Sequence, residues 1–80
     1  MAEPLLAELI GTLVRHRVAA GLTQRALAAK IGTQQSAISD LERCFAEPRL
    51  STLSRYAAAV GLTLTVTTTP NELPEATDAA

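Results

Sequence analysis

The stretch QRALAAKIGTQQSAISDLER, residues 24–43, contains the features that decide the fold. It predicts a helix over Gln24 to Ile31, a tight turn at Gly32 and a second helix over about Gln34 to Arg43. Gly32 permits the positive φ that such a turn needs. Small and apolar side chains on the two helices are expected to share a core, and these are Leu27, Ala28, Ile31, Ile38 and Leu41. The rest of the second helix presents polar side chains.

Residues 5–18 predict a helix before this pair, because apolar side chains recur there at intervals of three and four. Pro4 suits the first turn of that helix, and Gly21 can take the left-handed conformation that ends it. Thr23 and Thr33 are the expected N-caps of the two helices that follow. Three helices in a row indicate a helical domain.

A loop is expected from Cys44 to Leu50, followed by a fourth helix with Ser51 or Thr52 as its N-cap. Gly61 should end this helix. From there the period changes to two, because Leu62, Leu64 and Val66 alternate with threonines, and this predicts a strand at residues 62–68. A lone strand leaves its backbone N–H and C=O groups unpaired, so we expect it to pair with its copy in a second subunit.

Composition predicts a single domain, since the chain has 80 residues. Seven basic residues and five of the eight acids lie within residues 1–69, which gives that part a charge of +2. The remaining acids, Glu72, Glu75 and Asp78, give the end of the chain −3. That end, NELPEATDAA, has almost nothing to bury, so residues 70–80 are expected to form a disordered acidic tail after a domain at residues 1–69.

Enzymatic chemistry and metal binding have no support in the sequence. The single Cys44 excludes an internal disulfide, and no residues have metal-ligand spacing. No serine has a histidine placed near it by spacing, so nucleophilic catalysis is not expected. No run of about 18 apolar residues indicates a membrane span, and residues 1–6 lack the features of a signal peptide. We expect a soluble cytoplasmic protein without a cofactor.

The segment LTQRALAAKIGTQQSAISDLER, residues 22–43, resembles the helix-turn-helix of the Cro/C1-type, or XRE, family, and the resemblance extends over roughly residues 8–61. The strand GLTLTV after the last helix is most similar to that of HipB-like and HigA-like antitoxins. The resemblance implies an all-α, lambda-repressor-like four-helix bundle with one C-terminal strand that pairs across a dimer. It also implies a helix that lies in the major groove of double-stranded DNA.

Roles for individual residues follow from the same resemblance. The base-reading positions on the outer face of the third helix are Gln35, Ser36, Ser39 and Asp40. The positions that meet phosphate are Gln24, Arg25, Arg43 and Arg49, of which Gln24 also buttresses Gln35. Arg17 and Glu42 match a partly buried salt bridge between the first and third helices.

Two residues depart from the family pattern. Cys44 stands where the family usually has glycine, so either this residue accepts backbone strain or the helix continues for another turn. Asp40 places a carboxylate on the face that would meet DNA. There it can accept from cytosine N4, bind a neighbouring arginine, or repel phosphate.

The resemblance implies a nucleoid-associated homodimeric repressor on a pseudo-palindromic operator, and more specifically the antitoxin of a toxin–antitoxin pair that represses its own operon. The acidic tail would then suit a basic toxin. Two alternatives remain open at the level of sequence. One is a stand-alone, phage-type repressor. The other is a helix-turn-helix that binds only protein.

Overall fold

The computed structural model describes residues 4–45 and 47–71, and that part of the chain contains four α-helices. Their bounds are α1 Pro4–Ala19, α2 Gln24–Ile31, α3 Gln35–Glu42 and α4 Leu50–Ala59. α3 packs against α1 and α2, and α2 also packs against α4. The predicted all-α helix-turn-helix architecture is confirmed for these residues. The division between a domain at 1–69 and a tail stays a prediction, because residues 72–80 lie outside the described residues.

The turn between α2 and α3 is made by Gly32, which has a φ of 76°. The N–H groups of Gly32 and Thr33 donate to the carbonyls of Ala29 and Ala28, at 3.4 and 2.9 Å. This double hydrogen bond is the Schellman arrangement that ends a helix at a left-handed residue. A Cβ on Gly32 would meet nothing within 4 Å, so the turn needs glycine for its conformation and not for space.

One predicted N-cap is confirmed and two are wrong. The side chain of Thr23 accepts a hydrogen bond from the Ala26 N–H, as expected for the start of α2. Gln34 occupies the N-cap position of α3 instead of Thr33, because the first carbonyl that accepts from the helix is that of Gln34, bonded by the N–H groups of Ala37 and Ile38. α4 begins at Leu50 after an extended Arg49, so Ser51 and Thr52 lie inside its first turn. Neither Gln34 nor Arg49 makes a side-chain capping bond.

Cys44 accepts backbone strain instead of letting α3 continue. Its φ is 58°, and it is the non-glycine residue with positive φ in the described part of the chain. The N–H groups of Cys44 and Phe45 donate to the carbonyls of Leu41 and Asp40, at 3.1 and 3.0 Å. The end of α3 therefore has the same Schellman bonding as the end of α2, with cysteine in the place that glycine takes there.

The core is built from aliphatic side chains of all four helices and one tyrosine, and its largest fully buried side chains are Leu13, Leu27, Ile38 and Tyr56. Leu27, Ala28, Ile31, Ile38 and Leu41, the residues expected to be shared by α2 and α3, are all buried. Ala28 is 2% exposed where α2 meets its neighbours, so a larger side chain there would have to displace them.

The predicted strand is not supported. Residues 62–71 form neither helix nor strand in the described structure. Leu62 and Leu64 are half-buried and pack against the core of their own chain, while Val66 is 64% exposed. The alternating pattern therefore places two leucines on the chain's own helices. A strand also needs a hydrogen-bonded neighbour, and a single chain supplies none here.

Within the described residues, no helix is both long enough and apolar enough to cross a membrane.

Candidate nucleic-acid interface

The outward face of α3 is polar. Gln35, Ser36 and Asp40 are exposed and Ser39 is half-buried, while Ile38 on the opposite side is completely buried. A helix whose apolar stripe is this well covered presents its other side chains to solvent or to a partner. The four residues with an implied base-reading role thus lie on the accessible side of the helix, with Ser39 at its margin.

Glu42, the last residue of α3, joins all four helices through its carboxylate. It accepts from Arg17 Nε on α1 at 2.7 Å and from Arg17 Nη2 at 3.1 Å. Gln24 Nε2 on α2 donates to Glu42 Oε1 at 2.9 Å, and the Tyr56 hydroxyl on α4 donates to Oε2 at 2.5 Å. The implied ion pair between Arg17 and Glu42 is therefore present, and it is two-pronged.

The ion pair at the centre of these contacts is largely buried, since the side chains of Arg17 and Glu42 are 12% and 7% exposed. A third donor of the guanidinium, Arg17 Nη1, bonds the Leu22 carbonyl at 2.7 Å, in the segment that links α1 to α2. Buried charges of this kind are tolerated only when partners satisfy them. The Glu42 carboxylate accepts four hydrogen bonds, and the Arg17 guanidinium donates three. Both charged groups therefore have hydrogen-bond partners.

The surroundings shift the pKa of all three ionisable members. Burial acts to raise the pKa of Glu42, but hydrogen bonds from Arg17, Tyr56 and Gln24 outweigh it and hold the pKa below its ordinary value. The hydrogen bond to Glu42 raises the pKa of Arg17. Burial, together with the hydrogen bond to Glu42, raises the pKa of Tyr56. Glu42 is therefore ionised and Tyr56 is a neutral donor at pH 7.

The ionised carboxylate sets the direction of a hydrogen-bonded chain to the surface. Glu42 can only accept, so the Gln24 amide must turn its Nε2 inward and its Oε1 outward. Gln24 Oε1 then accepts from Gln35 Nε2 at 2.8 Å. Gln35 keeps its second amide N–H and its carbonyl oxygen available to a ligand. The core thus determines how the exposed Gln35 presents its polar atoms.

Arg43 and Asp40 lie at the end of α3 and do not pair with each other. The Arg43 Cζ lies 4.1 Å from the centroid of the Phe45 ring, which is a cation–π arrangement. The Asp40 side chain makes no ion pair within residues 4–45 and 47–71, where Arg17–Glu42 is the ion pair present. Of the roles open to Asp40, binding a neighbouring arginine is therefore not what the described structure contains.

The other arginines with an implied phosphate role are on the surface. Arg25 on α2 and Arg49 before α4 are both exposed, and neither is paired with a described carboxylate. Arg55 differs from them, since its Nη1 donates to the Ile31 carbonyl at 2.9 Å and satisfies the end of α2. Arg25, Arg43 and Arg49 therefore keep their charges accessible, whereas Arg55 has a structural bond.

Two contributors were missed by reasoning from sequence. Tyr56 was assigned no role in the site, yet its hydroxyl donates a hydrogen bond to Glu42. The signal available was its chemistry, because a buried tyrosine hydroxyl needs a hydrogen-bond partner. Phe45 was given no role, and it lies under Arg43. A lone aromatic residue in a polar loop two positions after an arginine was the only indication.

An exposed polar helix, joined by a left-handed glycine turn to a second helix that buttresses it, defines a helix-turn-helix DNA-binding domain. The family model described as helix-turn-helix matches residues 13–66, which is more than half of the chain, and the protein belongs to this XRE-type family. No curated protein and no solved structure matches the chain significantly.

Proposed function

We propose that this protein is a homodimeric, sequence-specific transcriptional repressor that inserts α3 into the major groove of its operator. The observation that carries the proposal is the chain from Glu42 through Gln24 to Gln35, which gives an exposed amide one orientation. A bidentate pair with adenine needs one acceptor and one donor side by side. Gln35 retains that pair after its bond to Gln24.

Exposed cations near α3 support the same proposal. Arg25, Arg43 and Arg49 are accessible and unpaired with described carboxylates, so they are suited to contact phosphates and fix the register of the helix. Few such contacts are available, so the salt dependence should be modest, about −0.9 in log–log slope for each phosphate neutralised. Asp40 is accessible to accept from cytosine N4.

The dimer is a further part of the proposal. We propose that residues 62–68 pair through their backbone with the same segment of a second copy, and that this seam covers the exposed Val66 while Leu62 and Leu64 stay packed against their own core. Support comes from the exposed Val66 and from backbone that forms no ladder in the single chain. One reading helix per subunit predicts half-sites about 34–36 Å apart on a pseudo-palindromic site.

The test of base reading compares two single variants on two DNA duplexes. The duplexes are the region upstream of the protein's own coding sequence and a scrambled version of it. Gln35→Ala should lose about 1–3 kcal/mol of discrimination between them while the salt slope stays unchanged. Arg43→Ala should weaken binding to both alike and lower the slope by about 1. Fluorescence anisotropy at several salt concentrations measures both quantities.

Gln34→Ala is the matched control for this test, because Gln34 is exposed, adjoins Gln35 and makes no side-chain capping bond. It should leave discrimination as in the wild type. Equal losses on the two duplexes for Gln35→Ala would contradict the base-reading role. No binding of the wild type to either duplex at low salt would favour the alternative of a module that binds only protein.

A finer proposal is that the protein is an antitoxin that represses its own operon from the nucleoid. The acidic residues Glu72, Glu75 and Asp78 support it, since they suit a basic toxin surface, although they lie outside the described residues. The test is coexpression with the product of a neighbouring gene that is toxic alone. Rescue of growth and copurification support the antitoxin role, while their failure leaves a stand-alone repressor.

A further inference from the structure

The ring of Phe45 is exposed directly after the proposed reading helix. It is 64% exposed, and it is the only phenylalanine in the chain. Its position is set by the end of α3, because its N–H donates to the Asp40 carbonyl at 3.0 Å while Cys44 takes a φ of 58°. The backbone that carries the ring therefore has a defined conformation.

Two residues close to Arg43 in the sequence have side chains of a kind that pairs with a guanidinium. Asp40 lies three residues earlier, a spacing at which opposite charges on a helix commonly pair. Phe45 lies two residues later, and it is over this ring that the guanidinium lies, 4.1 Å from the centroid. Asp40 forms no ion pair in the described residues. In the described structure, Arg43 therefore stacks on the Phe45 ring and does not pair with the Asp40 carboxylate.

We propose that Phe45 is a positioning residue for DNA binding, which keeps the Arg43 guanidinium apart from Asp40 so that the cation is free for a phosphate and the carboxylate for a base edge. This inference rests on the proposed function. An ion pair between Arg43 and Asp40 would neutralise both groups at the place where DNA binds. A ring has no charge and leaves both groups active.

The chemistry of stacking suits this role. A guanidinium that lies over a ring uses its face, and its five N–H donors point outward in its own plane. An ion pair with a carboxylate would occupy two of those donors. The stacked Arg43 therefore retains the donors that a phosphate needs.

The experiment uses Phe45→Leu, which keeps an apolar side chain and removes the aromatic face. Binding to the upstream duplex and its scrambled version is measured over a range of salt, for the full chain. Phe45→Leu should weaken binding to both duplexes about two- to fivefold, because a cation–π pair at an exposed site is worth about that much. The salt slope should fall toward that of Arg43→Ala.

Two double variants identify the cause. In the Phe45→Leu background, Arg43→Ala should lower DNA affinity little further, because Arg43 no longer contacts a phosphate in that background. Asp40→Asn should improve nonspecific binding more in the Phe45→Leu background than in the wild type, because only there does the carboxylate compete for Arg43. In the absence of DNA, the side-chain protons of Arg43 should be shifted upfield by the ring in NMR spectra, and this shift should vanish in Phe45→Leu.

The outcomes separate the two proposals. If Phe45→Leu binds like the wild type while Arg43→Ala is weakened, the role of Phe45 is overturned and the repressor proposal stands. If Asp40→Asn improves nonspecific binding no more in the Phe45→Leu background than in the wild type, the competition between Asp40 and the ring is overturned. If the wild type binds neither duplex, the proposed function fails and this inference fails with it. Thermal melting by circular dichroism serves as the folding control.

Discussion

Glu42 is a single residue whose removal should affect the whole domain. Its carboxylate bonds Arg17, Gln24 and Tyr56, one on each of the other helices. Glu42→Gln would leave the nearly buried Arg17 cation without its counter-charge, and removing one partner of such a pair costs about 3–5 kcal/mol. We expect Glu42→Gln to lower the free energy of unfolding at pH 7 by about 3 kcal/mol, measured by urea denaturation.

The same residue predicts a pH dependence. The pKa of Glu42 is lower in the folded protein than its ordinary value of about 4.3 in an unfolded chain. The stability that this shift contributes is complete above the unfolded pKa and is lost as the pH falls through the folded pKa. The gap between wild type and Glu42→Gln should therefore narrow below about pH 4. Parallel curves down to the acid transition would contradict the assignment.

Tyr56→Phe is the matched control for that experiment. It removes one hydrogen bond to Glu42 and retains both charges of the ion pair. A loss of about 1 kcal/mol is expected. The acid dependence should stay close to that of the wild type, since the carboxyl group is still present.

Cys44 predicts an unusual ranking of substitutions. A non-glycine residue in the left-handed region costs about 1–2 kcal/mol. Cys44→Gly and Cys44→Ala both remove the thiol, but only alanine keeps the strain at a φ of 58°. We expect the glycine variant to be the more stable of the two by about 1 kcal/mol in urea denaturation. Equal stabilities would indicate that the turn relaxes.

A control for that ranking lies on the same helix. Ala37 is exposed within α3, where φ is helical and glycine is unfavourable by about 1 kcal/mol relative to alanine. Ala37→Gly should therefore destabilise the protein, the opposite order from position 44. The comparison separates backbone strain at one residue from the general effect of glycine in a helix.

At the level of elements, the helices and the start of α2 followed from the sequence, whereas the first residues of α3 and α4 did not. Apolar periodicity and the left-handed glycines gave the order and ends of the helices, because burial and φ are properties of the local residues. The caps at Thr33 and at Ser51 or Thr52 were wrong, because the preceding turn decides where a helix can begin. Thr33 completes the turn that ends α2, and the first helical hydrogen bonds of α3 are accepted by Gln34, one residue later.

The sequence predicted those parts of the proposed interface that depend on local residue patterns. Helical spacing predicted the polar face of α3, and the resemblance to the family implied the pairing of Arg17 with Glu42. The roles of Tyr56 and Phe45 depend on three-dimensional contacts, namely those of Tyr56 with Glu42 and of Phe45 with Arg43. A tyrosine hydroxyl that reaches Glu42 from α4 has no signature in the order of residues.

For the molecule as a whole, the proposed dimer predicts a position-specific effect of added charge. Val66 and Val18 are 64% and 62% exposed, so either can be replaced by aspartate without disturbing the core. Val66→Asp should produce monomers in analytical ultracentrifugation, because an aspartate covered by the seam would lose hydration without gaining a partner for its charge. Val18→Asp, outside the proposed seam, should remain dimeric.

Two results would contradict this prediction. A wild-type protein that sediments as a monomer at micromolar concentration would exclude the dimer. A Val66→Asp variant that stays dimeric while Val18→Asp dissociates would place the interface elsewhere, on a surface that includes α1. Either result would leave the reading role of α3 open, since a monomer can still bind one half-site.

The carboxylate of Glu42 also determines which polar atoms of Gln24 and Gln35 face outward. An amide can be turned around at little cost, so a glutamine on its own does not determine whether it offers a donor or an acceptor in a given direction. Glu42 removes that freedom for Gln24, and Gln24 removes it for Gln35. A negative charge inside the fold thereby specifies the donor and acceptor pattern on the outside. A core substitution that preserves stability but reverses the Gln24 amide would therefore change the donors and acceptors that Gln35 presents, although no surface residue is substituted.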